Sequence, residues 1–359
     1  MLNIRFEQAK TLKEKPQDET KLGFGHIFTD YMFQMNYLEG KGWYDPRIVP
    51  YGPISLDPCC VVFHYAQEMF EGLKAYRTAD NRIQLFRPDK NIERLNRTNE
   101  RMCIPQMHPA DVLQAIKALV EVEKDWIPHS EGTSLYIRPF IIATDCHLGV
   151  HPSKSYLFTI ILSPSGSYYA AGINPVKIIV ESEYVRAVRG GTGFAKVGGN
   201  YAASLIGQQK AEELGYAQVL WLDGIEHKYI DEVGAMNVFF VIDGEVITPT
   251  LEKGNILPGV TRASCIDMLR SKGYRVSERP LALEEVRVAA EEGRLNEAFG
   301  SGTAAVVSPI GELNIDGKTL VINHNEIGPI ARMLYDELTG IQWGRIPDPF
   351  HWVEPVCKG

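Results

Sequence analysis

Apolar and polar positions along this 359-residue chain fall into short alternating runs and a few helical stretches. Residues 61–65 form a β-branched and aromatic run that predicts a strand. Residues 71–77 and 83–86 flank the polar turn Thr78-Ala79-Asp80-Asn81 and predict a hairpin. Asp89 then opens a short helical pattern over 90–95. Residues 111–120 have helical apolar spacing with Asp111 placed as a cap. Residues 134–140 and 156–162 read as strands, as do 176–180, 218–222 and 238–242. Asp243-Gly244 joins the last of these to 245–247 as a tight hairpin. Residues 200–213 predict one helix of small residues ending near Gly215; 263–269 and 283–295 also read as helical. Hairpin-joined strands with interspersed helices argue for an α+β fold over a doubly wound sheet.

The stretch Ser163-Pro164-Ser165-Gly166-Ser167-Tyr168-Tyr169-Ala170-Ala171-Gly172 is rich in Pro, Gly and Ser and separates two apolar strands. It predicts an interdomain linker at 165–173, between a smaller domain at 1–164 and a larger one at 174–359. The composition, 45% hydrophobic and 23% charged, is that of a globular protein with a full core. A net charge of −8 argues against nucleic acid or an anionic membrane as the main partner. The start of the chain has no uninterrupted apolar core, and no apolar run approaches membrane-spanning length, so a cytoplasmic protein is expected. No two of the six cysteines have Cys-x-x-Cys spacing, which predicts scattered, mostly buried, reduced thiols. Cys146-His147 with His151 lacks paired ligands elsewhere, so no metal is expected.

The chemistry centres on Lys196, in Gly190-Gly191-Thr192-Gly193-Phe194-Ala195-Lys196-Val197-Gly198-Gly199-Asn200-Tyr201. Such glycines permit positive φ and close approach of other groups. A solvated lysine needs neither, whereas a Schiff-base lysine needs a fixed, partly desolvated position, because only the neutral amine attacks a carbonyl. Two further turns offer backbone N–H groups and hydroxyls to an anion: Leu257-Pro258-Gly259-Val260-Thr261-Arg262 ahead of a helical run, and Phe299-Gly300-Ser301-Gly302-Thr303-Ala304-Ala305. The lysine segment fits neither a Walker loop nor a dinucleotide-binding fingerprint. Pyridoxal phosphate needs a lysine, phosphate donors, a carboxylate at the ring nitrogen and a donor near the ring hydroxyl. Glu232, placed just ahead of an apolar strand, is a candidate for the carboxylate.

With these motifs in order, the chain resembles the branched-chain-amino-acid aminotransferases, pyridoxal-phosphate enzymes of fold type IV, a two-domain D-amino-acid-aminotransferase-like fold. The resemblance runs from Gly23-Phe24-Gly25 to Gly340-Ile341-Gln342-Trp343-Gly344. It implies a cofactor-binding C-terminal domain with Lys196 as Schiff-base lysine and proton carrier. Glu232 would be the ring-nitrogen partner, with Tyr201 near the ring hydroxyl. Arg94, Val260, Thr261 and Thr303 would be phosphate donors. It places Phe24, Tyr65, Tyr136 and Arg138 in the substrate pocket, with Thr303 and Ala304 at the α-carboxylate and Tyr168 in a linker covering the site. It also implies a homodimer acting on L-leucine, L-isoleucine or L-valine and 2-oxoglutarate by a ping-pong route.

Mammalian members carry a Cys-x-x-Cys pair just after the Gly-Thr-Ala turn; here those positions read Ala305-Val306-Val307-Ser308, which excludes a thiol switch at that place. Three alternatives stay open on the residues alone: a D-amino-acid aminotransferase or an aminodeoxychorismate lyase on the same fold, and a non-catalytic pyridoxal-phosphate-binding protein.

Overall fold

The computed structural model describes residues 1–166 and 173–359. Most of the expected linker, including Tyr168, lies outside these described residues. The chain divides into two units: Met1–Tyr168 with Ala195–Gly198 and Gly340–Gly359, and Tyr169–Phe194 with Gly199–Thr339. Two segments of the second half thus group with the first unit, unlike a simple split near 165–173. Strand Val353–Lys358 pairs with Arg82–Phe86, and the Lys196 carbonyl accepts from the Phe70 N–H at 3.1 Å.

The first unit holds a nine-stranded, almost wholly antiparallel sheet. Its central path runs Gly42–Pro50, Tyr31–Leu38, Ser155–Ser165, Ser134–Ala143, Leu73–Arg77, Arg82–Phe86. Alternation along Ser134–Ala143 decides its two faces. Leu135, Ile137, Ile141 and Ala143 enter the core with Ile92 and Leu95 of helix Pro88–Arg101 and Val112, Ile116 and Leu119 of helix Pro109–Val122. Tyr136 and Arg138 therefore stand on the opposite face. The second unit holds a mixed nine-stranded sheet in which Val176–Glu181 runs parallel to both its neighbours, Gln218–Leu222 and Val306–Ile315. Its core gathers Ile178, Leu220, Val238, Phe240, Ala298 and Leu313, with Val286 and Ala289 of helix Leu283–Glu291. Both units mix helix and strand, the content of an α+β fold.

Several local expectations change. Residues Val61–Tyr65 form a helical turn, not a strand. Only Val61 is buried, so no alternating face exists to join a sheet, and Ala66 closes the turn at φ 47° with its N–H on the Val62 carbonyl. The predicted helix over 200–213 is two, Gly198–Ala202 and Leu205–Glu213. The short helix after Asp89 extends over Pro88–Arg101. The helix expected over 283–295 ends at Glu291, and Leu295–Gly302 is a strand, leaving only residues 303–305 as the turn.

Candidate active site

One stripe of the helix Pro88–Arg101 organises the lysine. Asn91, Arg94 and Thr98 recur at helical spacing and are all buried. Thr98 Oγ1 accepts from the Lys196 N–H at 3.0 Å, while strand Glu68–Phe70 holds the Lys196 carbonyl. Glu68 also accepts from the Gly198 N–H. The lysine backbone is thus fixed on both sides. Its Nζ lies 4.6 Å from the Phe70 ring centroid. Burial pushes its pKa down to about 8; the Arg94 charge adds to the fall, and Glu71 opposes it. A useful fraction of neutral amine is therefore present near neutral pH.

Arg94 is 4% exposed and Glu71 1%. Arg94 Nε and Nη2 donate to the two Glu71 oxygens at 2.7 and 2.9 Å, and Asn91 Nδ2 adds a bond at 2.9 Å. Burial alone would raise the Glu71 pKa, but the Arg94 charge and hydrogen bonds bring it below the ordinary carboxylate value. Glu71, Thr98 and Asn91 are absent from the sequence-derived set.

On the sheet face opposite the core, Arg138 Nη2 and the Tyr136 hydroxyl lie 3.1 Å apart, and the Arg138 guanidinium sits 4.7 Å from the Phe70 ring. Arg138 Nε is buried and has no hydrogen-bond partner among the described residues. Phe24 packs edge-on against Tyr136 at 4.9 Å. Gly72 is required here: a Cβ would stand 2.0 Å from the Tyr136 hydroxyl. Tyr65 is 39% exposed, and its hydroxyl donates to the Leu148 carbonyl. The first unit thus brings Phe24, Tyr136 and Arg138 together, with Arg138 and Lys196 sharing Phe70.

In the second unit Glu232 lies within the short strand Ile230–Val233, whose four residues are all buried, and just ahead of the apolar strand Asn237–Ile242, as expected. Its Oε1 accepts from Arg186 Nη2 at 2.8 Å and the Leu257 N–H at 2.7 Å. Arg186 also donates to the Gly193 carbonyl at 2.9 Å. These contacts fix the carboxylate and favour its charged form. Sequence reasoning missed Arg186. The glycines before the lysine serve close approach more than unusual backbone: a Cβ on Gly193 would stand 2.3 Å from the Asn255 carbonyl oxygen, and Gly190 alone among those at 190–199 has positive φ.

Val260 and Thr261 are buried at the start of helix Val260–Ser271, whose N-cap, Gly259, supplies no side-chain cap. Asn237 links this turn to the next strand. Its Nδ2 donates to the Leu257 carbonyl at 2.9 Å, and it pairs in register with Ser301, whose buried Oγ has no hydrogen-bond partner among the described residues. Thr303 and Ala304 follow in the turn at 303–305, half-buried. Tyr201 is half-buried on helix Gly198–Ala202.

The Amino-transferase class IV family matches residues 68–313. The chain belongs to the class IV aminotransferases. Branched-chain-amino-acid aminotransferase 2 of Bacillus subtilis (strain 168) is 59% identical over 354 residues, covering 99% of this chain and 97% of its own. The branched-chain-amino-acid aminotransferase of Escherichia coli superposes with a TM-score of 0.76 at 26% identity, covering 91% of this chain and 99% of its own. That of T.th., complexed with N-(5'-phosphopyridoxyl)-L-glutamate, gives 0.72 at 26% identity over 90% of this chain and 98% of its own. Within its family the chain is thus a branched-chain-amino-acid aminotransferase, of fold type IV.

Proposed function

We propose that this aminotransferase moves the amino group of L-leucine, L-isoleucine or L-valine to 2-oxoglutarate by a ping-pong route, with pyridoxal 5'-phosphate on Lys196. The observation that carries this reading is Lys196 itself: a lysine fixed through both its backbone groups and held near a pKa of about 8 by burial. The residues fit the cofactor. Val260 and Thr261, at a helix start without a side-chain cap, and the nearby orphaned Ser301 hydroxyl suit a phosphate. Buried Glu232, held by Arg186, suits a protonated ring nitrogen.

When bound, pyridoxal phosphate supplies the electron sink for the bond broken at the substrate α-carbon. Lys196 Nζ would hold the cofactor's aldehyde carbon and, once displaced by the substrate amine, would carry the proton between the substrate α-carbon and that aldehyde carbon. Glu232 keeps the ring nitrogen protonated, and Tyr201 donates near the ring hydroxyl. Arg94 and Thr303 complete the phosphate donors with Val260 and Thr261. Phe24, Tyr65 and Tyr136 receive the aliphatic chain, Arg138 the distal carboxylate of glutamate, and the Thr303 and Ala304 amides the α-carboxylate. The reading includes a cytoplasmic homodimer; among the described residues no helix is long and apolar enough to cross a membrane. The D-amino-acid, lyase and non-catalytic readings are disfavoured by near full-length identity of 59% to a branched-chain enzyme.

A spectral titration tests this. L-leucine should change the cofactor absorbance of the purified protein, and 2-oxoglutarate should reverse it. A response to D-leucine instead would overturn the reading.

A further inference from the structure

The cysteines are not all scattered, and most are not buried. Cys60 and Cys265 are buried, Cys59 and Cys357 half-buried, and Cys103 and Cys146 exposed. The sulfurs of Cys59 and Cys146 and a carboxylate oxygen of Asp57 all lie within 4.8 Å of one another. Backbone pairing builds this cluster: Cys60 bridges Cys146 antiparallel, and the Val61 N–H donates to the Asp145 carbonyl at 2.8 Å. Asp57 Oδ1 accepts from the Cys59 N–H at 3.0 Å, and the Asp57 carboxylate also accepts from the Cys59 thiol. Cys60, the third thiol nearby, is fully buried and donates to the Ala143 carbonyl at 3.2 Å.

We propose that Cys59 and Cys146 are a modification site: a solvent-facing thiol pair that a peroxide closes to an intramolecular disulfide. Cys146, the more exposed, reacts first. Its thiolate attacks the peroxide, the O–O bond breaks, and Cys146 becomes a sulfenic acid while an alcohol or water leaves. The Cys59 sulfur attacks the Cys146 sulfur as its proton passes to the departing hydroxyl. The S–S bond forms, the S–O bond breaks, and water leaves. Two thiols lose two electrons to the peroxide, which ends as two molecules of water, or one of water and one of alcohol.

Among the described residues the cluster offers a metal three ligands, one short of a closed tetrahedral site. The disulfide lies at one end of a linkage that matters: the Tyr65 hydroxyl, on the turn just after Cys59, holds the Leu148 carbonyl in the loop just after Cys146.

The test treats the purified holoenzyme with a few equivalents of hydrogen peroxide, blocks remaining thiols by alkylation, and maps the peptides by mass spectrometry. A linked Cys59–Cys146 peptide pair, reopened by dithiothreitol, is expected. The melting temperature of the oxidised protein should rise by about 5 °C, because the link closes a long loop in the unfolded chain. Cys59→Ser should stop the reaction at a Cys146 sulfenic acid trapped by dimedone. The proposal is overturned if the wild type shows Cys146 joined to Cys60, Cys103 or a second molecule. It is equally overturned if Cys146 goes on to sulfinic acid with Cys59 still alkylatable, or if the protein as purified yields stoichiometric zinc with both thiols protected.

Discussion

Arg94 and Glu71 form a buried, two-point ion pair, with Nε–Oε1 at 2.7 Å and Nη2–Oε2 at 2.9 Å. The same Glu71 charge acts on Lys196, raising a pKa that burial and Arg94 lower. One carboxylate therefore holds the guanidinium in place and limits how far the lysine is discharged.

Removing that charge should have two effects. Glu71→Gln leaves the Arg94 charge buried without its counter-ion, at a cost of about 3–5 kcal/mol. It should also take the Lys196 pKa below its present value. Glu71 itself is depressed, so its contribution to stability is whole above the ordinary carboxylate pKa of 4.5 and drains as pH falls through the lower folded value. The variant should lose stability at neutral pH and show a flatter acid limb. Urea unfolding from about pH 3 to 7 measures both, and an unchanged midpoint at neutral pH would show that the pair does not stabilise the fold.

Lys196 should titrate near pH 8 in the protein freed of cofactor. Its folded pKa lies below the ordinary 10.5, so the neutral amine is the major form above pH 8 and falls about tenfold for each unit below it. Competitive acetylation followed by peptide mapping reads this directly; a midpoint at the ordinary lysine value would mean a solvated amine. Lys196→Ala should abolish transamination while far-UV circular dichroism stays unchanged.

Much of the site was legible in the sequence, and what was hidden has a physical reason. Lys196 stood out through its glycines, although those at 193 and 198 serve packing against Asn255 and Glu68 rather than positive φ. The strands were legible because alternation survives wherever one face is buried, as along Ser134–Ala143. Asn91 and Thr98 carried no signal in the sequence, and Arg94 entered only through the resemblance, since periodicity gives a stripe its direction but not its surroundings. Only the fold shows that this stripe is buried against Glu71 and the lysine backbone. Val61–Tyr65 misled because β-branched residues favour strands on average, while here the exposed Phe63 and Tyr65 have no sheet face to join.

Gly72→Ala should disturb the substrate side of the site without adding or removing a charge. The new Cβ would meet the Tyr136 hydroxyl at 2.0 Å, so the ring must move, and with it the contacts to Arg138 and Phe24. A displacement of about 1 Å is expected to lower kcat/KM for L-leucine about ten- to a hundredfold. Steady-state kinetics beside a melting curve make the check: a large loss of stability with unchanged kcat/KM would place the strain elsewhere.

Glu232→Gln should leave cofactor bound and slow the chemical step. A neutral amide still accepts from Arg186 and the Leu257 N–H but no longer keeps a ring nitrogen protonated. The loss should fall on kcat more than on KM. Exchange of the substrate α-proton in deuterated water follows that step, and cofactor affinity by fluorescence gives a readout independent of turnover. Wild-type exchange rates in the variant would remove Glu232 from this role.

Arg138→Met addresses substrate choice. The side chain has two roles to separate. It anchors the pocket, with Nη2 at the Tyr136 hydroxyl and its plane against Phe70. It also keeps Nε buried and unpaired, which is costly unless an acceptor arrives. The distal carboxylate of glutamate is such an acceptor, and the leucine side chain is not. Losing a charge-assisted contact should cost glutamate roughly 1.5–3 kcal/mol, or about ten- to a hundredfold in kcat/KM. Leucine should lose much less, because methionine retains the apolar stem that packs on Phe70. Measuring kcat/KM for L-leucine and L-glutamate in the same variant separates the roles. Equal losses for both would assign Arg138 to anchoring alone, and a loss confined to glutamate would make the unpaired Nε the group that reads the second carboxylate.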